Sequence, residues 1–507
     1  MTRLPEFLYS AEQVRRIDQR AIQAGTPGGT LMGRAGARAY RLLRQRWPQA
    51  QNVTIICGPG NNGGDGYIIA ALAAAAGLTV NLIGLGDPDT AEAQKAKALA
   101  QDAGLTATPY APGLGIAIDA KTRVDLVVDA LLGIGFHGEL RLPYGTLIGE
   151  MNNCDAPCLS VDIPSGLEAN TGAAKGPVIR ASATITFIAP KLGLFTGQGP
   201  AVTGEVFFDD LDVATACERE TYEGVRLGSP WVQDHLPCRN ATFHKGRAGH
   251  ALIIGAGPGM PGAAVLAGKA ALRMGAGRVT VACHPDNVGS ITASSPELMA
   301  RGISEARELY ELLGRVDVTV IGPGLGLSEW AQMCLSSVME RKMPKIFDAD
   351  ALNLLAQSPQ RVPGAIVTPH PAEAARLLGC DTVQVEMDRP GAGKLIAERF
   401  GAVCVLKGAG TLVCDRGAPL LLCDRGNPGM ATAGMGDVLS GVIGALHAQG
   451  LDARVAAGAG TWLHSAAGDL AAARGGAIGL MAGDLMGHLR LLRNAPEKAD
   501  GIPDPSF

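Results

Sequence analysis

Short apolar runs rich in Val and Ile alternate along the chain with longer, Ala-rich stretches of helical spacing. That alternation is the pattern of parallel sheets joined by crossover helices. In the first half it predicts strands at 53–57, 78–85, 124–129, 158–162, 183–188 and 205–208. A helix over 10–24 begins at Ser10 as N-cap, with Gln13 three residues on to complete a capping box. In the second half strands are predicted at 251–254, 279–282, 318–321, 345–348, 365–368 and 403–406. Two more, 411–414 and 420–423, read as a hairpin around Asp415-Arg-Gly-Ala.

The rhythm fails between 212 and 240, where the polar run ATACERETYEGVRLGSP reads as a linker. The boundary is placed near 218–228, between a domain at 1–220 and a second at 226–500. The tail after Asn494 is expected to fray, and no repeat of about 20–50 residues recurs, which excludes a solenoid. The uncharged stretch 67–86 is nominally long enough to span a bilayer. It is broken near Gly77 and carries Thr79 and Asn81, so it reads as a helix, 67–76, turning into a strand.

Composition narrows the function classes. The 507 residues, at roughly 150 per domain, favour two to four domains. The formal net charge is −4 with interspersed signs, which speaks against a general nucleic-acid or anionic-membrane binder. Aromatics, at 4%, are too scarce for a base-stacking surface. Eleven scattered cysteines, with no CxxC pair, fit neither a structural zinc site nor a disulfide framework. With no apolar leader in the opening segment, a reducing cytoplasm is the expected compartment. Glycine is the outlier: 69 residues, about twice ordinary usage, clustered in short loops.

Those loops carry the candidate chemistry. The strand at 53–57 runs into GPGNNGGDG (58–66) and then a helix. Glycines admit an anion close to the backbone, and a helix start offers free N–H groups. Gly58, Gly60 and Gly63 satisfy the dinucleotide fingerprint, but the acid wanted at the end of the second strand is missing and Asp87 comes late. A tight packing turn is the competing reading, against which Asn61, Asn62 and Asp65 weigh. Two further strand ends carry polar groups: Asp129 followed by GIGFHGE (133–139), and Asp162 followed by Ser165. Carboxyl-end loops of neighbouring parallel strands converge on one crevice. Such oxygen-rich groups suit a hard cation or a ribose–phosphate.

In the second half, GAGPGMPG (255–262) and GPGLG (322–326) are each as well explained by packing turns as by phosphate. NPGMATAGMGD (427–437), opening an apolar helix at 438–448, is sharper. Gly434, Gly436 and Asp437 set glycines and a carboxylate at a helix start. Backbone N–H groups there can hold a phosphoryl group while Asp437 accepts a hydroxyl proton. A bare N-cap would explain Asp437 but not the glycines. Lys407 with Gly408, Ala409, Gly410 and Thr411 stands at a strand end suited to a nucleotide, and is not a Walker A loop. His370, in TPHPAE, lies at another strand end.

GPGNNGGDG, VVDALLGIG and VDIPSGL, in this order, resemble the N-terminal domain of the bifunctional NAD(P)H-hydrate repair enzymes (YjeF-type). The resemblance implies epimerisation of the hydrated nucleotide, NAD(P)HX. It implies that Asn61, Asn62, Gly63, Gly64, Asp65, Gly133, Ile134, Gly135, Phe136, His137, Gly138 and Glu139 contact the dinucleotide, with Asp162 beside them. It also implies a potassium ion (K+) held by Asn62, Asp129 and Ser165. Gly33, in LMGRAG, replaces an acid of the family at a peripheral contact. Asp162 is the candidate proton shuttle. Lys191 is a second candidate, against the alternative of a solvated strand-end lysine.

GMGD with a Lys-Gly strand end resembles the ribokinase-like superfamily; NPGMATAGMGDVLSG with TPHPAE and KGAGT is similar to the ADP-dependent NAD(P)HX dehydratase domain of the same family. The implied fold is α/β throughout: a Rossmann-like parallel-sheet domain, then a ribokinase-like domain. By the same resemblance Lys407, Gly408, Ala409, Gly410, Thr411 and Gly436 bind the adenine nucleotide. Gly324 or Leu325, His370 and Asp437 contact the hydrated cofactor. ADP, with Mg2+, would be converted to AMP and phosphate as water is lost. Ala372 stands where TPHPGE is the commoner form.

The expected partners are NADHX or NADPHX and ADP, with no nucleic acid and no membrane. A homo-oligomer is expected, since Ala- and Gly-rich helices pack closely. The competing readings are a vitamin or sugar kinase with an accessory nucleotide-binding domain, an NAD-dependent dehydrogenase, and a nucleotide-sensing module. A phosphorylated product made from ATP would favour the kinase. The absent strand-end acid disfavours the dehydrogenase, and intact Asp129 and Asp162 weigh against a dead pocket.

Overall fold

Alternate residues of the first unit's strands feed two separate cores. Val53, Ile55 and Cys57 join one apolar cluster while Ile56 joins another, and every residue of strand Leu126–Ala130 is buried. Such strands need helices on both faces of the sheet. One core takes Val14, Ile17 and Ala21 from helix Ala11–Gln23 and Ile69 and Ala73 from helix Asn61–Ala75; the other takes Leu147, Ile148 and Met151 from helix Tyr144–Asn152. Each large side chain so buried contributes roughly 1.5–3 kcal/mol. The computed structural model describes residues 4–113, 116, 123–236 and 239–501, which divide into two units, Met1–Val225 and Arg226–Phe507.

The first unit's sheet runs Thr108–Pro109, Thr79–Gly84, Asn52–Cys57, Leu126–Ala130, Cys158–Val161, Ala183–Phe187, Glu205–Asp209, all parallel. The chain starts at Asn52–Cys57, winds to one side and then to the other. The order therefore reverses between Asn52–Cys57 and Leu126–Ala130, where Cys57 faces Ala130. A crevice outside the carboxyl ends of the strands belongs at that reversal.

The second unit repeats the plan. Parallel strands run Met299–Gly302, Arg278–Cys283, His250–Ile254, Val318–Ile321, Lys345–Phe347, Ile366–Val367, Val403–Leu406. The hairpin Thr411–Cys414 and Leu420–Cys423 follows antiparallel. Its order reverses between His250–Ile254 and Val318–Ile321.

The Val/Ile runs locate the strands to within a residue or two, and Ser10 and Gln13 form the capping box expected of them. Strand Met299–Gly302 escapes because MARG carries no apolar run. The first glycine loop is shorter than its sequence indicates. Helix Asn61–Ala75 already begins at Asn61, so NNGGDG forms its first turns. The linker region holds helix Ala214–Cys217, strand Gly224–Arg226 and helix Ser229–His235.

The tail does not fray at Asn494. Pro496–Ala499 forms a further turn with Ala499 fully buried, Arg425 Nη2 donates to Ala499 O at 3.1 Å, and Ser229 Oγ donates to Asp500 at 2.6 Å. The last tail residues, 502–507, lie outside the described residues. Among the described residues no helix is long and apolar enough to cross a membrane; 67–86 comprises the end of one helix and the strand after it.

Candidate active sites

A cleft of about 880 Å3 opens at the reversal in the first unit. Sterics and ligand access divide its glycines. A Cβ at Gly58 would sit 1.8 Å from Leu131 O, so that position is a packing turn; Gly63 and Gly64 are likewise closed in, by Gly58 O and by Met32. Gly60, the N-cap of helix Asn61–Ala75, has nothing within 4 Å and faces the cleft. The helix therefore presents its uncapped N–H groups to whatever enters.

Asn61, Asn62, Asp65, Gly133, Ile134, Gly135, Phe136, His137, Glu139 and Asp162 all line this cleft. Gly138 is a left-handed turn residue at φ 86° and does not line it. Asp129 and Ser165 lie below it, both fully buried. Asp129 accepts from Ser165 N at 2.9 Å, Ser165 Oγ at 2.5 Å and Ser160 Oγ at 2.8 Å. Burial nevertheless pushes its carboxyl above the usual range, and among the described residues no basic side chain pairs with it. Asn62 Nδ2 donates to Leu132 O at 3.0 Å, and Leu132 N donates to Ser165 Oγ at 2.8 Å. Asn62 Oδ1 is buried without a partner among the described residues. These three side chains thus gather around Leu132.

Asp162 sits in left-handed backbone at φ 67°, and its Oδ1 accepts from Phe187 N at 3.2 Å and from the Lys191 ammonium. Lys191 is 1% exposed and donates also to Thr186 Oγ1 at 3.1 Å and Phe187 O at 3.0 Å. It is no solvated strand-end lysine. Ile188, a β-branched residue at φ 66°, shares the strain of this corner.

Sequence reasoning missed Asp18 and Arg15, which line the cleft from helix Ala11–Gln23; Arg15 Nη2 donates to Ile134 O at 3.2 Å. The available signal was an acid at position 18 inside the apolar stripe of Val14, Ile17 and Ala21.

In the second unit, helix Met435–Ala448 starts from Gly434, left-handed at φ 90°, where a Cβ would meet Leu266 at 2.6 Å. Asp437 stands in its first turn, and burial followed by the nearby Asp348 raises its carboxyl to about 7. Gly436 lies against Lys407, whose Nζ would be 3.4 Å from a Cβ there. Burial opposes charge on Lys407, but Asp348 and Glu373 outweigh it and raise its value: Nζ is 3.0 Å from Asp348 Oδ1 and 3.6 Å from Glu373 Oε2. Lys407 thus ties two acids to the strand end that carries Gly408, Ala409, Gly410 and Thr411; Thr411 Oγ1 donates to Gly408 O at 3.0 Å.

His370 is the N-cap of helix Pro371–Leu378, accepting from Ala372 N at 3.1 Å, and its side chain is 48% exposed, half in solvent and half against the protein. Burial, then Lys407, lowers its pKa. Gly324 is half-buried, whereas the Leu325 side chain is fully buried, leaving only backbone there for a ligand. Asp348 and His464 were missed. Asp348 accepts from Thr368 Oγ1 at 2.8 Å, and its Oδ2 has no partner among the described residues. His464 is buried and pulled down to about 4 by that burial, with the Met435 backbone at the start of helix Met435–Ala448 acting in the opposite sense.

Residues 28–193 match the family described as YjeF-related protein N-terminus, and residues 251–490 match NAD(P)H-hydrate dehydratase. The bifunctional NAD(P)H-hydrate repair enzyme Nnr of Coxiella burnetii is 44% identical over 489 residues, covering 96% of this chain and 99% of that one. The chain belongs to the bifunctional NAD(P)H-hydrate repair enzymes. The repair enzyme Nnr of Escherichia coli K12 is 43% identical over 99% of this chain and 97% of its own. Among solved structures, an ADP/ATP-dependent NAD(P)H-hydrate dehydratase from Bacillus subtilis, co-crystallized with ATP/Mg2+, is 30% identical with a TM-score of 0.49; it covers 52% of this chain and 96% of that one.

Proposed function

We propose that this repair enzyme interconverts the (R) and (S) epimers of NAD(P)HX in its first domain, 1–220, and dehydrates the (S) form in its second, 226–500. One observation carries the reading: Asp162 and Asp437 each stand beside a lysine in their own unit, at the ends of parallel strands or the helix start packed there. For epimerisation, the hydroxyl next to the ring nitrogen leaves as water, pushed by the nitrogen lone pair, and returns to either face. Asp162, held by Lys191, moves the proton.

A potassium ion suits the pocket formed by Asn62, Asp129 and Ser165. The donors are all hard oxygens, Asn62 Oδ1 is orphaned, and the buried Asp129 has no cationic partner among the described residues. Bound there, the ion would balance Asp129 and fix the loop that begins at Leu131.

For dehydration, Asp437 takes the proton of the substrate hydroxyl as its oxygen attacks the terminal phosphorus of ADP and AMP departs. Backbone N–H groups at the start of helix Met435–Ala448 stabilise the shifting charge. The C–O bond then breaks with phosphate as leaving group, a ring proton is lost, and NAD(P)H results. Gly408, Ala409, Gly410 and Thr411 with Gly436 hold the nucleotide, and Lys407 positions that strand end. Mg2+, where it takes part, would be carried by the phosphates of the nucleotide and would offset their charge.

The test for the first activity is to incubate (R)-NADHX with the enzyme in the absence of ADP and follow the appearance of the (S) epimer. Enzyme-dependent interconversion, lost in Asp162→Asn, is the expected result; a rate equal to the spontaneous one would refute it.

A further inference from the structure

The proposed epimerisation needs a proton delivered to the departing hydroxyl, and Asp162 is poorly placed to be its only source. Its Oδ1 is occupied by the Lys191 ammonium, Phe187 N and Thr186 Oγ1. That leaves Oδ2 as the freer oxygen of a carboxylate in contact with a buried cation. A second acid lines the same cleft.

Asp65 projects from the first turns of helix Asn61–Ala75, one turn beyond the open N-cap Gly60. No hydrogen bond or ion pair engages its carboxyl among the described residues. We infer that Asp65 is the proton donor to the leaving hydroxyl, with Asp162, held by Lys191, beside it in the same cleft. The inference rests on the epimerase reading of this cleft.

The surroundings of Asp65 explain why it would hold a proton. Cys57 lies at the end of the preceding strand, Asp18 faces it from helix Ala11–Gln23, and Asp162 from the end of strand Cys158–Val161. Among the described residues Lys191 is the cation that acts on it, and that ammonium is already shared by Asp162, Thr186 and Phe187. Glu92, at the start of helix Ala91–Asp102, adds negative charge through Asp18. Burial first, then Asp162 and Asp18, lift the Asp65 carboxyl well above the usual carboxylate range. Two carboxyl groups in one site, with unequal access to a cation, divide into an acid and a base.

The step balances within the site. The Asp65 proton passes to the hydroxyl oxygen and the C–O bond breaks with its electrons on the departing water. The ring nitrogen lone pair forms the C=N bond. Water then adds to the opposite face and gives one proton to Asp162, the base of the pair, and transfer of that proton to the Asp65 carboxylate restores the starting state.

The experiment uses the full chain, without ADP, and measures interconversion of separated (R)- and (S)-NADHX for wild type, Asp65→Asn and Asp162→Asn. The assignment predicts that Asp65→Asn lowers kcat by about 100-fold or more while KM changes by no more than about threefold. It also predicts that the wild-type kcat falls as pH rises through the raised Asp65 value, since the acid form is the active one. Because the pH profile needs no variant, it tests the assignment even if Asp65→Asn folds poorly. A wild-type kcat that does not fall with rising pH, or a near-wild-type rate in Asp65→Asn, would overturn the Asp65 role and leave the epimerase reading intact. An inert wild-type enzyme would overturn that reading itself, and this assignment with it.

Discussion

Lys407 and Asp348 are 59 residues apart in the chain, yet the lysine Nζ lies 3.0 Å from the carboxylate Oδ1. This pair sets the electrostatics at the start of helix Met435–Ala448. Asp348 raises the Asp437 carboxyl and Lys407 lowers it, with burial the largest influence, and the balance falls at about 7. A carboxylate base is most useful when its value lies near the working pH.

Asp437→Asn is accordingly expected to slow ADP-dependent dehydration by about 100- to 10,000-fold. Wild-type kcat/KM should rise with pH and level off above about 7, because the ionised form is the base. A steady-state pH series on (S)-NADHX checks both.

The same residue has a stability signature of opposite sense. Its folded value lies above the ordinary carboxylate value, so the penalty for charging it is fully present above about pH 7 and disappears below about pH 4. Asp437→Asn should stabilise the protein by about 2 kcal/mol at about pH 8 and leave it unchanged at about pH 4. Denaturant melts at the two pH values measure this.

Lys191→Met removes the buried cation from the Asp162 side chain and leaves Thr186 Oγ1 and Phe187 O without their donor. Breaking a buried pair from one side costs about 3–5 kcal/mol. A large drop in the melting temperature and a loss of epimerisation are expected together, whereas a solvated lysine would produce neither. Calorimetry and the epimer assay provide the readouts.

Potassium should accelerate epimerisation when tetramethylammonium chloride holds the ionic strength fixed. Asn62→Ala removes the orphaned Oδ1 and is expected to give a slower enzyme indifferent to the ion. Equal rates in the two salts would argue against a cation at Asn62, Asp129 and Ser165.

The glycines of one loop should separate by function. Gly58→Ala would place a methyl 1.8 Å from Leu131 O, and loss of soluble protein is expected. At Gly60, φ is −84° and space is open, so Gly60→Ala should melt near the wild type while raising KM for the hydrated nucleotide. Expression yield, melting temperature and KM distinguish the two.

The strands and the first unit's crevice were legible because Val- and Ile-rich runs ending in glycine and acid say where parallel strands stop. Pairings between distant segments were not. Nothing near residue 348 announces Lys407, and nothing near the C-terminus announces Ser229, which binds Asp500 from 271 residues away. The polar, Pro-containing tail was therefore read as frayed although Ala499 is fully buried. Asp18 was hidden for a different reason: an acid in an apolar helix stripe signals a wet pocket only once the pocket is seen. The glycine spacing around Gly58 fitted a dinucleotide fingerprint, but backbone packing explains Gly58 and Gly63, leaving Gly60 as the open position.

One chain is expected to carry out both repair steps. The direct measurement is recovery of NADH absorbance when the enzyme and ADP are added to a mixed (R)/(S) NADHX sample. ADP-dependent recovery of the whole sample is the expected result. Recovery that stops when the (S) fraction is consumed, apart from slow spontaneous epimerisation, would contradict the first activity, and no recovery would contradict both.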